Sequence, residues 1–121
     1  HSPRTTIERH LMEAISLTAL VEEHLTIART ATSGRSAHTV FGGHDHRLRQ
    51  TLIALSAGHE LAEHESPGEA TLHVLAGAVR LTTATDSNEL AVGHLTAIPD
   101  ERHGLYAVVD CAVLLTVTQT L

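Results

Sequence analysis

The sequence has no tryptophan and no lysine, and only one cysteine, one phenylalanine, one tyrosine and one methionine in 121 residues. Each shortage excludes something. A lone Cys111 cannot form an intrachain disulfide and fits a reducing compartment, so a cytoplasmic location is expected. With Phe41 and Tyr106 as the only aromatics, the stacking platforms that hold single-stranded nucleic acid are missing. The basic residues are all arginine, scattered from Arg4 to Arg102 against a formal net charge of −6. No concentrated cationic footprint exists for a phosphate backbone, and a nucleic-acid partner is not expected. No apolar run approaches the ~18–20 residues that span a bilayer, so a membrane partner is not expected either.

What the chain has in excess is histidine, eleven in all. Imidazole titrates near neutral pH and is a common metal ligand, so this count favours metal binding or proton transfer. The length suits one core.

From Thr5 to about Ala31, apolar residues recur at Ile7, Leu11, Ile15, Val21, Leu25 and Ala28, with Leu17 and Leu20 widening the stripe. This spacing predicts one long amphipathic helix, stopped by Ser33-Gly34. Short β-compatible runs follow: Leu48–Leu55, Glu60–His64, Thr71–Leu75, Val79–Thr83, Glu89–Val92, Leu95–Ile98, His103–Val109 and Ala112–Thr118, separated by turn residues. Connections too short for crossover helices read as an antiparallel sandwich or barrel. The expected division is a helical segment over 1–34 and a β-barrel domain over 35–121.

The two-residue period of strands puts His103, Leu105, Ala107 and Val109 on one face, and Val113, Leu115 and Val117 on another. Leu52, Ala54, Leu72 and Val74 read as internal. Ile53, Leu55, Leu75 and Leu114 then lie on opposite faces and need a cover, from the helix, a second subunit or both. Burying each such Leu or Ile is worth about 1.5–3 kcal/mol, so a homodimer is expected. If Ala57-Gly58 closes a hairpin, Gln50 faces His64 and His46 faces Gly68, which brings the Gly42–Arg49 segment to the barrel end that holds His64.

The stretch from Gly58 through His64 and Glu69 to Gly77 resembles the first cupin motif, and Gly93 through Pro99 to His103 is similar to the second. The Ser33-Gly34-Arg35 and Gly42–Thr51 runs look like those of small actinobacterial cupins. The resemblance implies a mainly β fold, a cupin-type antiparallel β-barrel (jelly roll) behind an N-terminal α-helix. It also implies His64 and His103 as the first and last metal ligands of the barrel. Ser66 stands where a second histidine belongs and Ala70 where the acid belongs, with Glu69 one residue out of register. One residue reverses a strand side chain, so Glu69 points away from the barrel unless the Ser66-Pro67-Gly68 loop bulges.

His44 and His46 are the candidates to replace the lost ligands. Arg49, Gln50 and Glu69 are candidates for gripping a small ligand, Arg49 because a guanidinium matches carboxylate or phosphate geometry. Against these stand plainer readings: a hydrogen-bonded pocket histidine for His64 and His103, a surface loop for His44 and His46, a salt bridge for Arg49. His73 is expected on the outer face, His59 and His94 in solvated turns, His24 and His38 on the surface, and Cys111 buried and inert. The functional expectation is a cupin barrel that binds a small organic molecule, a divalent transition metal (Zn, Ni, Fe, Mn or Cu), or both. The alternatives are a metal-dependent enzyme of the dioxygenase, isomerase or decarboxylase class and a structural or regulatory dimerisation module.

Overall fold

The computed structural model describes residues 12–64 and 68–120, the side chains of Glu63 and His64 excepted. Helix α1 (Leu17–Thr30) precedes strands β1 (Arg35–Phe41), β2 (Leu48–Leu55), β3 (Glu60–His64), β4 (Ala70–Ala76), β5 (Ala78–Thr83), β6 (Ser87–Ala91), β7 (Leu95–Ala97), β8 (His103–Ala107) and β9 (Cys111–Thr118).

The helix corrects one expectation. Residues 13–16 are not helical, and the residues before Met12 lie outside the described ones. Ser16 is extended, and its Oγ accepts from the Ala19 N–H at 3.1 Å. A capped start satisfies a donor that the first turn would otherwise leave without a partner. Helical periodicity upstream of the cap therefore does not carry through it.

The strands form two antiparallel sheets, one ordered β1-β2-β9-β4-β7 and the other β3-β8-β5-β6. The expected β2–β3 hairpin does not form: β2 pairs with β1 and β9, and β3 pairs with β8 in the other sheet. Gln50 consequently faces Phe41 and Thr116, and His64 faces His103. The unexpected strand is β1. Its Arg35, Ala37, His38, Thr39 and Phe41 are all exposed, so its sequence lacks the apolar alternation that marks a half-buried strand.

The core lies between the sheets. Ile53, Leu55, Leu72, Val74, Cys111 and Val113 of the first meet Val79, Leu81, Leu90, Leu105 and Ala107 of the second. The face expected for β2 is inverted: Ile53 and Leu55 point inward, while Ala54 packs outward against Leu25 and Ala28 of α1. Burial was right for both rows, because the helix covers the outer one, but period alone cannot say which side is which. Val109 is likewise outside the barrel row, 47 % exposed beyond the end of β8.

The chain changes sheets between β4 and β5 through Gly77 alone, which has φ +71°. A Cβ there would collide with the Asp110 carbonyl oxygen. Asp110 is also a tie: its carboxylate accepts from Arg29 Nε of the helix at 2.7 Å and from the Ala57 N–H of the β2–β3 connection at 2.8 Å. The Arg29 hydrogen bond, helped by the Ala57 N–H, holds its pKa below the usual carboxylate value. A pKa depressed by folding adds stability above the unfolded value, near pH ~4, and loses it as pH falls further. The pair is partly exposed, so Asp110→Ala should cost only about 1 kcal/mol at pH 7 by urea unfolding. The difference from wild type should shrink toward pH 3 (roughly the range in which the carboxylate protonates).

Candidate functional site

His103 opens β8 on the inner face and is 5 % exposed. Its Nδ1 lies 3.0 Å from the Glu101 carbonyl oxygen. A carbonyl only accepts, so Nδ1 carries the hydrogen, and in the neutral ring Nε2 holds the lone pair. The ring forms part of a chamber of about 30 Å³ whose other walls are Ile53, Leu61, Leu72, Leu81, Ile98, Leu105 and Leu115. That space takes about two or three waters at most, each needing ~10–15 Å³.

Two ladder neighbours flank His103. His64 pairs with it on β3, beyond a register shift after Leu61, and Thr83 pairs with it on β5. The positions His64, His103 and Thr83 therefore form one row across the sheet. The His64 side chain lies outside the described residues.

The remaining sequence candidates are dispersed. His44 and His46 sit in an exposed loop, which Gln119 holds by donating from Nε2 to the carbonyls of Gly43 and His46 at 2.6 and 2.7 Å. The His46 ring meets Phe41 edge-on, 5.2 Å between centroids. Because the loop is tied to the residue after β9, it does lie at the barrel end where β8 begins, although no β2–β3 hairpin puts it there. Arg49 is exposed at the start of β2, on the face of Ile53. Gln50 belongs to the outer row, and its amide donates to Thr116 Oγ1 at 3.2 Å. Glu69 is exposed, with its carbonyl accepting from the Thr118 N–H at 3.0 Å, while Ala70 packs against the core. Among the described residues no group of three or more His, Cys, Asp or Glu is placed to hold a metal. A divalent ion usually takes about three or four protein ligands, so His103 with its apolar walls does not fit one by itself.

Sequence reasoning missed two features. His24, expected on the surface, is 8 % exposed at the contact of α1 with β1. Its Nδ1 lies 2.6 Å from Ser36 Oγ and its ring 5.2 Å from that of His38. A histidine beside Leu25 on the apolar stripe was the available signal. The second is a polar cleft of about 160 Å³ lined by Thr83, Asp86, Ser87, Asn88 and Thr96, with Leu81, Ala97 and Pro99. Asp86-Ser87-Asn88 is legible as a turn, but nothing in the sequence brings Thr96 to it. His59 and His94 are exposed turn residues as expected; His59 Nδ1 lies 2.9 Å from Ser56 Oγ, and His94 Nδ1 accepts from the Ala91 N–H.

This two-sheet arrangement, with the helix Leu17–Thr30 before its first strand, is a cupin-type jelly roll, and known structures agree. No protein-family model matches the chain, and no curated protein matches it. Among solved structures, a conserved protein of unknown function from Streptococcus pyogenes is similar at 28% identity, with 75% of this chain and 79% of that one covered and a TM-score of 0.65. A cupin superfamily protein from Desulfitobacterium hafniense is similar at 15% identity, covering 71% and 78%, with a TM-score of 0.65. An HTH_3 family transcriptional regulator from Vibrio cholerae is similar at 24% identity and a TM-score of 0.61; the match covers 72% of this chain and 52% of the regulator. No helix among the described residues is long and apolar enough to cross a membrane.

Cys111 is buried in the core, and that burial pushes its thiol up to about 11. A thiolate is the nucleophile, so the group is inert at neutral pH. Native protein at pH ~8 should react with iodoacetamide at least ~100-fold more slowly than protein unfolded in urea. Equal rates would place Cys111 in an open site.

Proposed function

We propose that this barrel is a binding module that receives its ligand at His103, with His64 beside it in the ladder. The observation that carries the reading is one buried imidazole, oriented through Glu101, in an otherwise apolar wall. The ligand group is the polar end of a small organic molecule or a divalent transition metal. The described donors favour the organic molecule. A metal requires His64, with His44 or His46 brought over from the rim loop, and imidazole donors select Zn, Ni, Fe or Cu over Mg or Ca.

Metal analysis of tag-free protein, incubated separately with zinc, nickel and iron, divides these. If metal belongs to the site, His64→Ala and His103→Ala each lower its content, His59→Ala does not, and binding weakens below about pH 6 as protons compete for the rings. Protein that stays metal-free in all three trials removes the ion from the reading and leaves the organic ligand. A His103→Leu variant that keeps every binding property of wild type would overturn the site itself.

A second copy of the chain is the proposed partner. A groove of about 460 Å³ runs along β1, β2 and β3 and is lined by Ser33, Arg35, Ser36, Ala37, Thr51, Ile53 and Leu61. Core residues Ile53 and Leu61 line it, and on the outer row of β1 and β2 Phe41 and Leu48 are 37 % and 41 % exposed. Apolar surface on an edge strand favours pairing with another chain. Light scattering at micromolar concentration should give the mass of two chains; a monomer mass refutes the dimer.

A further inference from the structure

We propose that the open half of the outer face of the first sheet, over β9, β4 and β7, is the docking site of the chain's own N-terminal segment, residues 4–11, held through Ile7 and Leu11. That face lies on the opposite side of the sheet from the His103 chamber, and its occupant is independent of any ligand there.

Ladder pairing puts Leu95, His73, Leu114 and Leu52 in one row, and it is the outward one, because the neighbouring Leu72, Val74 and Val113 belong to the core. Helix α1 lies over one end of that face: Ala54 meets Leu25 and Ala28, and Leu52 is fully buried. At the other end Leu114 and His73 are half-buried and Leu95 is 66 % exposed. Leu75, the extra residue of a bulge in β4, adds to the same side, where it lines a groove of about 240 Å³ with Leu17 and Val21 of α1. The cause is width. Neighbouring strands are ~4.8 Å apart and a helix is about 10 Å across, so one helix covers about two of the five strands. Among the described residues α1 is the only helical element, and space for one more helix remains beside it.

The path of the chain names the occupant. Met12 is exposed, residues 13–16 are not helical, and the next residue, Leu17, both opens α1 and lines the groove. A break this short is of the length that joins antiparallel helices side by side. Before it, Ile7 and Leu11 stand four residues apart with Met12 next to Leu11, the spacing of one apolar helical face. At 1.5 Å per residue a helix of about ten residues is ~15 Å long, more than the ~10 Å from β9 across to β7. Charge agrees: the segment carries Arg4 and Arg9 against Glu8 in a chain of net −6, and Glu22 lines the groove. Attachment also raises the effective concentration to the millimolar range, so a contact too small to hold two molecules together holds within one.

The test is paramagnetic broadening of amide NMR signals in the whole chain. A nitroxide attached through Thr6→Cys, the native Cys111 being too buried to react, should broaden the amides of His73, Leu75, Leu95 and Leu114. Glu89, on the edge strand of the second sheet, should stay sharp. Adding Ile7→Ser and Leu11→Ser to the labelled chain should abolish the broadening while the signals of both sheets keep their positions. Absence of broadening on that face, or equal broadening in the serine variant, would overturn the proposal. A mixture of spin-labelled chain without isotope and isotope-enriched chain without the label separates the remaining occupant. Broadening of the same amides in that mixture would assign the face to a second copy and refute docking of the segment within its own chain.

Discussion

The last strand, β9, lies between β2 and β4, and the domain depends on that insertion. Val113 meets Ile53 on one side and Val74 on the other, and Leu115 meets Thr51 and Leu72, so two rows of the inner face close only when the C-terminal strand is in place. Without it, β1–β2 and β4–β7 would be separate two-stranded pairs, each with one wet apolar face. Two-stranded hairpins are marginal in water, and the pairing is long-range, so closure costs loop entropy before any core is gained. The Asp110 tie acts at the same point, since the residue before β9 is the one that Arg29 and Ala57 grip.

Closing the five-stranded sheet leaves two faces to satisfy. The inner face packs on the second sheet, and its side chains fill the barrel so well that about 30 Å³ remains around His103. The outer face takes α1, through Leu25, Ala28 and the buried His24. A barrel this full has its larger clefts at the surface, one of them lined by Thr83, Asn88 and Thr96. The inner face then holds an apolar chamber with one oriented imidazole.

The metal-binding pattern suggested by the motifs meets the same constraint. Ala70 occupies the inward position at the start of β4, so Glu69 is left outside, and the one-residue offset noted in the sequence has the consequence that strand alternation dictates. The rim loop with His44 and His46 reaches the correct end of the barrel because Gln119 ties it there, not because of the hairpin that was expected.

Local pattern was enough to determine an antiparallel sandwich or barrel, most strand positions, the buried Cys111 and the inward orientation of His103 with Leu105 and Ala107, because alternation and turn residues act within a few residues of chain; the jelly-roll class came from the resemblance of the Gly58–Gly77 and Gly93–His103 stretches to cupin motifs. β2 and β3 even fall within the limits read from sequence, Leu48–Leu55 and Glu60–His64. Only the tertiary structure decided which face of β2 points inward, that the polar run Arg35–Phe41 is a strand, that Ser16 restarts the helix, and that His24 is buried. It alone set Thr83 beside His103 in the ladder. Strand partners in this fold come from distant parts of the chain, and a period of two places a side chain on a face without naming the strand that it will meet.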